Sequence, residues 1–151
     1  MSSDGKSSWV VQSQSNDTPW GNETVWSSPH TVCVKTLQLK KGNRTSFKFN
    51  KIKDELLICA TGKIVAYHGD EKMISSQFGD LSRSSVEEGM ALAVQSGCPY
   101  RLEAVEDSII LEVSTRRLQS TDVVRLHDDY SREVEYVSEH MQKVIEKWFL
   151  T

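Results

Sequence analysis

The chain has 151 residues, a net charge of -3 and 26% charged residues. That is the size of one domain with one core, large enough to fold without disulfide or metal staples. The charge balance excludes the overall basic footprint of a nucleic-acid-binding protein, and no stretch approaches the ~20 apolar residues of a membrane-spanning helix. The N-terminus lacks a charged segment followed by an apolar one, so no signal peptide is read and a cytoplasmic location is expected. Cys33, Cys59 and Cys98 have no CxxC spacing and sit in strand-like runs. They are expected to be reduced residues in or near the core, not a zinc site or a disulfide frame.

Residues 1–17 are rich in Ser, Gln, Asn and Asp and read as a flexible tail, interrupted by Trp9-Val10-Val11, which could add a strand or dock. Residues 19–29 hold Trp20 and Trp26 among turn residues, either as a cap on an open barrel end or as a stacking platform for a sugar ring. Thr31 to Leu39 reads as a strand, and Lys40-Lys41-Gly42-Asn43 as a turn. From Arg44 to Asn50 the pattern alternates, with Phe47 and Phe49 on one face and Ser46, Lys48 and Asn50 on the other. A charged turn, Lys51 to Glu55, leads into the apolar run Leu56 to Ala60, short enough to be a buried strand.

Further strands are expected over Lys63 to His68, Lys72 to Phe78, Met90 to Val94, Tyr100 to Val105 and Ile109 to Ser114, with a turn-rich stretch from Gly79 to Gly89. About eight short, evenly spaced strands predict an all-β sandwich or barrel. After Arg116 the periodicity changes. Tyr130, Val134, Val137, Met141, Val144 and Trp148 recur at spacings of four and three, which predicts an amphipathic helix of about five turns, capped by Asp129 or Ser131. Its apolar stripe suits packing on the barrel's outer wall, or a helix pair across a dimer interface.

Four stretches carry a resemblance. Gly42, Glu55 and Gly62 frame a motif; Pro19-Trp20-Gly21 opens the region; Lys53-Asp54-Glu55 supplies a basic-x-Glu; and Thr121 to Arg132 reads Asp-Val-Val-Arg followed by Asp-Asp-Tyr-Ser-Arg. Over residues 19–132 the chain resembles the cupins, in particular the cupin domain of type II mannose-6-phosphate isomerases and mannose-1-phosphate guanylyltransferases and its small stand-alone relatives. The resemblance implies a cupin-type double-stranded β-helix (jelly-roll) barrel over 19–130, preceded by a tail over 1–18 and followed by a C-terminal amphipathic α-helix over 131–151. It also makes a homodimer the expected assembly.

Cupins of this type hold a metal inside the barrel. Carried onto this chain, the ligand positions of the first motif fall on Lys48, Asn50 and Glu55, and Tyr100, followed by Arg101, replaces the histidine of the second motif over Gly89 to Leu102. Lysine offers a cation and no acceptor, so no metal and no other cofactor is expected. The charge change instead suggests a Lys48–Glu55 ion pair in the barrel mouth, with Asn50 and Tyr100 beside it. Arg101, Arg125 and Arg132 are candidates for a phosphate contact, because a guanidinium matches phosphate in a bidentate way.

Three functions stay open. The first is a metal-free cupin that binds a small polar ligand, such as a sugar phosphate or nucleotide sugar, with Lys48, Asn50, Glu55, Tyr100 and Arg101 lining the pocket. The second is a metal-independent sugar isomerase or epimerase, with Glu55 as base and Lys48 or Tyr100 as acid. The third is a structural or interaction protein acting as a homodimer, in which the barrel is a scaffold with a relic pocket and the C-terminal helix and N-terminal tail carry the contacts.

Overall fold

The structure is a computed structural model that describes residues 5–27, 32–115, 122–135 and 137–150. Thr31, Arg116 and Thr121 lie outside the described residues. Eleven strands are present among those described: β1 (Gln14–Thr18), β2 (Gly21–Trp26), β3 (Cys33–Leu39), β4 (Phe47–Asn50), β5 (Glu55–Thr61), β6 (Lys63–His68), β7 (Ser82–Glu87), β8 (Ala91–Val94), β9 (Tyr100–Ala104), β10 (Ser108–Ser114) and β11 (Val123–His127). Two helices accompany them, α1 (Lys72–Ser75) and α2 (Glu139–Phe149). The strands form two antiparallel sheets, one in the order β1-β2-β3-β10-β5-β8 and the other β11-β4-β9-β6-β7.

Period-two alternation decides which residues lie between the sheets. In β10, Ser108, Ile110, Glu112 and Ser114 are buried while the residues between them are only half-buried. In β3 the inward set is Cys33, Lys35, Leu37 and Leu39. Most of the interior is apolar, with Leu37, Leu57, Ile64, Leu102 and Ile110 at its centre and Trp20 packed among them. Trp20 is therefore a plug of the barrel, whereas Trp26 ends β2 in an exposed position. Two glycines permit close approaches. A Cβ at Gly21 would lie 1.8 Å from the Gln38 carbonyl oxygen, and one at Gly62, where φ is +88°, would lie 2.6 Å from the Asp107 carbonyl oxygen.

A second core lies on the outer face of the β11-β4-β9-β6-β7 sheet. Phe47, Val65, Tyr67 and Leu126 face outward there and meet Met141, Val144, Ile145 and Phe149 of α2. The Phe149 ring sits 5.0 Å from Phe47 and 5.3 Å from Tyr67 between ring centroids. At the loop before β7, His140 Nε2 lies 2.9 Å from the Gly79 carbonyl oxygen and Trp148 Nε1 donates to Asp80 at 2.6 Å. Of the two placements the stripe allowed, the helix takes the one against its own barrel.

Four local expectations need correction. The Ser/Gln-rich tail forms β1 at its end, because Gln14–Thr18 pairs with β2 across the Pro19-Trp20 turn. Lys72 to Phe78 is not a strand: the Asp70 carboxylate accepts from Lys72 N at 3.1 Å and starts the helical turn α1, in which only Met73 is buried. Ser82–Glu87, expected as turn, is the edge strand β7, polar because only Val86 of it is buried. The C-terminal helix begins at Glu139 rather than near 131, since Asp128 captures the backbone N–H groups of Tyr130 and Arg132 and Glu135 N donates to the Arg125 carbonyl. Ser138 is the N-cap, accepting from Met141 N at 3.1 Å.

Phe149→Ala is expected to lower stability by about 3–5 kcal/mol, the cost of emptying a buried aromatic site, measured by chemical denaturation.

Candidate functional site

One end of the barrel interior is polar. Strand register places its residues. On one sheet, Glu112 of β10 pairs with Lys35 of β3, and Glu55 of β5 lies opposite Ser114 and Val94. On the other, Arg125 of β11 pairs with Lys48 of β4, and Lys48 in turn with Tyr100 of β9. Pairing partners share a face, so Arg125, Lys48 and Tyr100 form one inward row. A cavity of about 470 Å³ lies here, lined among others by Lys35, Lys48, Asn50, Lys53, Glu55, Glu112, Arg125 and Arg132, whereas Tyr100, expected in the lining, is not part of it.

Glu55 is a buried residue of this lining. Its Oε1 accepts from Tyr100 Oη at 2.9 Å and from Asn50 Nδ2. Its Oε2 faces Lys53 Nζ at 3.5 Å, and the same ammonium lies 4.0 Å from Glu112 Oε2. Burial by itself would raise the Glu55 pKa. The Lys53 charge, a hydrogen bond from the Glu112 carboxyl, the Lys48 charge and the Tyr100 hydroxyl together hold it below the usual carboxylate range. Glu112 is pushed the other way, up to about 7, by burial and by the Glu55 charge, against the pull of Lys35 and Lys53. Of the two carboxyls, Glu112 is the one biased towards keeping its proton. Burial and the two carboxylates push the Tyr100 phenol well above its ordinary value.

The expected Lys48–Glu55 pair is not formed: among the described residues the contact partner of Glu55 is Lys53. Lys48 projects instead over the Tyr100 ring, its Nζ 5.3 Å from the ring centroid, and burial lowers its pKa. It is close enough to feel the Glu55 charge without touching it. Arg101 does not line the cavity. It follows Tyr100 in the same strand, so alternation turns it to the opposite face. There it is fully buried, with Nε donating to the Thr45 carbonyl at 2.7 Å, Nη2 donating to Asp129 at 3.2 Å and its guanidinium 4.7 Å from the Phe149 ring centroid. Asp129 also takes a bidentate pair from Arg44, at 2.7 and 2.6 Å. Arg101 therefore helps to lock α2 onto the barrel.

Lys48, Asn50 and Glu55 do meet at one cavity, and Tyr100 stands behind Glu55. Sequence reasoning missed Lys35, Lys53 and Glu112. For two of them the signal was present: Lys35 and Glu112 are charges on the inward phase of otherwise apolar alternating strands. Arg132 is occupied, since its guanidinium makes two hydrogen bonds to Asp128, at 3.0 and 2.8 Å. Arg125 is not: Nη1 donates to the Glu133 carbonyl at 3.2 Å, and its buried Nε has no hydrogen-bond partner among the described atoms.

No protein-family model matches the chain, and no curated protein sequence does. Solved structures do. Oxalate decarboxylase from Bacillus subtilis superposes with a TM-score of 0.67 at 17% identity over 81% of this chain and 33% of that one. The capsular polysaccharide assembling protein CapF from Staphylococcus aureus gives 0.65 at 15% identity, over 80% and 33%. KdgF from Halomonas sp. gives 0.56 at 12% identity, over 73% and 90%. All three have cupin folds.

This chain has the cupin fold.

It spans about a third of the length of the first two proteins. The Bacillus oxalate decarboxylase has Mn(II) centres. The residues of this cupin barrel do not suit such an ion. Among the described residues no group of three or more His, Cys, Asp or Glu is placed to hold a metal. The inward oxygens of Glu55 already meet an amide, a phenol and an ammonium.

A raised carboxyl pKa binds a proton more tightly in the folded state, so its contribution to stability is full below the ordinary carboxylate range and is lost as pH rises towards 7. Glu55 acts in the opposite sense, and only at more acid pH. Wild-type stability is expected to fall by up to about 3 kcal/mol between pH 4.5 and 7 through Glu112. Glu112→Gln, which keeps a donor towards Glu55, should flatten that slope in denaturation curves recorded across the range.

Proposed function

We propose that this cupin binds a small anionic carbohydrate, a sugar phosphate or nucleotide sugar, in the open end of its barrel without a metal ion. The observation that carries the reading is the cross-strand pair of Lys48 and Arg125. Both line the cavity, and among the described residues neither is in ion-pair contact with a carboxylate. An unpartnered guanidinium N–H beside an ammonium suits a phosphate group. The neighbouring carboxylates of Glu133 and Glu135 at the same cavity offer acceptors for sugar hydroxyls, and Glu23 there is ion-paired to Lys35 at 3.7 Å. A volume of about 470 Å³ is in the usual range for small-molecule sites. The resemblance of Pro19-Trp20-Gly21 and of Asp122 to Arg132 to the isomerase and guanylyltransferase cupin domain supports the same ligand class, and the capsular polysaccharide role of CapF is compatible with it.

The site favours binding over the isomerase alternative built on Glu55. A base needs a free lone pair facing the substrate, and the Glu55 oxygens are engaged by Asn50, Tyr100 and Lys53. Thermal denaturation with mannose 6-phosphate, glucose 6-phosphate, GDP-mannose and inorganic phosphate tests the reading. One sugar phosphate or nucleotide sugar is expected to raise Tm by several degrees at about 100 times its Kd. Arg125→Met and Lys48→Met should abolish that rise while leaving the free protein folded. No rise with any of these probes would overturn the reading.

A second reading, self-association, is favoured by the outer face of the other sheet. Trp26, Val34, Val113, Leu56 and Ala93 form one outward row across five strands, with Leu111 and Ile58 in the next. The outward positions of β2, β3, β10, β5 and β8 carry no charge in a chain that is 26% charged. A flat neutral face is complementary to itself, so the occupant we propose is a second copy of this chain. Five strands ~4.8 Å apart, with outward residues every ~6.8 Å, give a footprint of roughly 480 Å². That is below the ~800 Å² per partner of a standard interface. The dimer is expected to be weak and concentration-dependent in sedimentation velocity, and Leu56→Glu should leave only monomer. A wild type that stays monomeric at every concentration would sink this reading.

A further inference from the structure

We propose that the ammonium of Lys53 is the resident cation of this barrel, and that it closes the site to divalent metal ions. The inference rests on the metal-free reading above but not on the identity of the ligand. It starts from the β4–β5 turn, where Lys51, Ile52 and Asp54 are exposed and Lys53 alone is buried. The turn is pinned on both sides. The Asp54 carboxylate accepts from Ser96 N at 2.9 Å, Asp54 N donates to Thr115 Oγ1 at 3.2 Å, and Thr115 N donates back to the Asp54 carbonyl at 3.2 Å. With Asp54 held, the Lys53 side chain is directed into the barrel.

Its charge arrives where two carboxyls converge. Lys53 Nζ is 3.5 Å from Glu55 Oε2 and 4.0 Å from Glu112 Oε2, and the three side chains are 2%, 2% and 7% exposed. Asn50 and Tyr100 complete the enclosure of Glu55 from the other side. Two buried carboxyls are hard oxygen donors of the kind that manganese, magnesium or calcium would accept. The position such an ion would need is the one the ammonium holds, and two cations do not share it. Lys48, on the facing sheet, adds a second positive charge near the same point.

Lys53→Met tests this, because it keeps the aliphatic stem and deletes the charge. Wild type and variant are purified in chelator and denatured thermally with and without millimolar manganese or calcium. Bound metal is measured in parallel by mass spectrometry. Wild type is expected to hold no stoichiometric metal, with its Tm unmoved. Lys53→Met should lose roughly 10 °C, as a buried carboxylate deprived of its cation. It should recover at least half of that loss with manganese or calcium, at about one ion per chain.

If Lys53→Met does not fold in chelator, Lys53→Arg decides. Retained stability supports the requirement for charge, and collapse in Lys53→Arg as well would overturn it. About one metal per wild-type chain would overturn the proposal, as would a Lys53→Met as stable as wild type. A loss that no divalent ion rescues would reduce Lys53 to an ordinary buried ion pair and overturn it too. A wild type without metal that also binds no sugar phosphate would sink the ligand reading and leave this one standing.

Discussion

The buried carboxylate of Glu55 is the constraint on which the polar end of the barrel depends. A charge placed between two sheets is tolerated only if donors surround it, and four separate segments supply them. Asn50 comes from the end of β4, Lys53 from the turn that follows, Tyr100 from the start of β9, and the Glu112 carboxyl, its pKa raised, from β10. Asn50 and Tyr100 reach the carboxylate from the opposite sheet and Glu112 from the strand beside it, so the cluster ties the two sheets together. It also decides the chemistry available, since a carboxylate with this many donors is neither a free base nor a free metal ligand.

The same sheet that contributes Lys48 and Asn50 inward contributes Phe47 and Phe49 outward, and this division organises the molecule. Inward, polar residues at one end give way to the apolar plug around Trp20, Leu57 and Ile110. Outward, Phe47 and Tyr67 meet α2, and Arg101 and Arg44 converge on Asp129 beside Phe149. The helix thus backs the strand row that carries Lys48 and Tyr100. Arg101 is fully enclosed on that outer face without belonging to the cavity: a carbonyl, a carboxylate and an aromatic ring meet it, while its Nη1 has no hydrogen-bond partner among the described atoms.

The unequal pKa directions of Glu55 and Glu112 follow from this geometry. Both are buried, which disfavours charge on either. Two neighbouring carboxyls with one close ammonium cannot both ionise at low cost, so one takes the negative charge and the other keeps a proton. Glu55 takes the charge because Asn50 and Tyr100 also donate to it.

Much of this was legible from residue order. Alternation over Arg44 to Asn50 determined that Lys48 and Asn50 share a face opposite Phe47 and Phe49, because a strand turns successive side chains to opposite sides. The same rule, applied to β9, separates Tyr100 from Arg101. The helical stripe from Val137 to Trp148 determined an apolar helix face, while its start at Ser138 depended on Asp128 capturing the preceding backbone. Tertiary structure alone decided which lysine meets Glu55. Lys48 and Lys53 are both near it in the chain, and the choice follows from how the β4–β5 turn is pinned and how far apart the two sheets stand. It also decided that Lys35 and Glu112, 77 positions apart in a chain of 151 residues, face each other across neighbouring strands. Strand pairing over that distance is set by the whole barrel, and no local pattern encodes it.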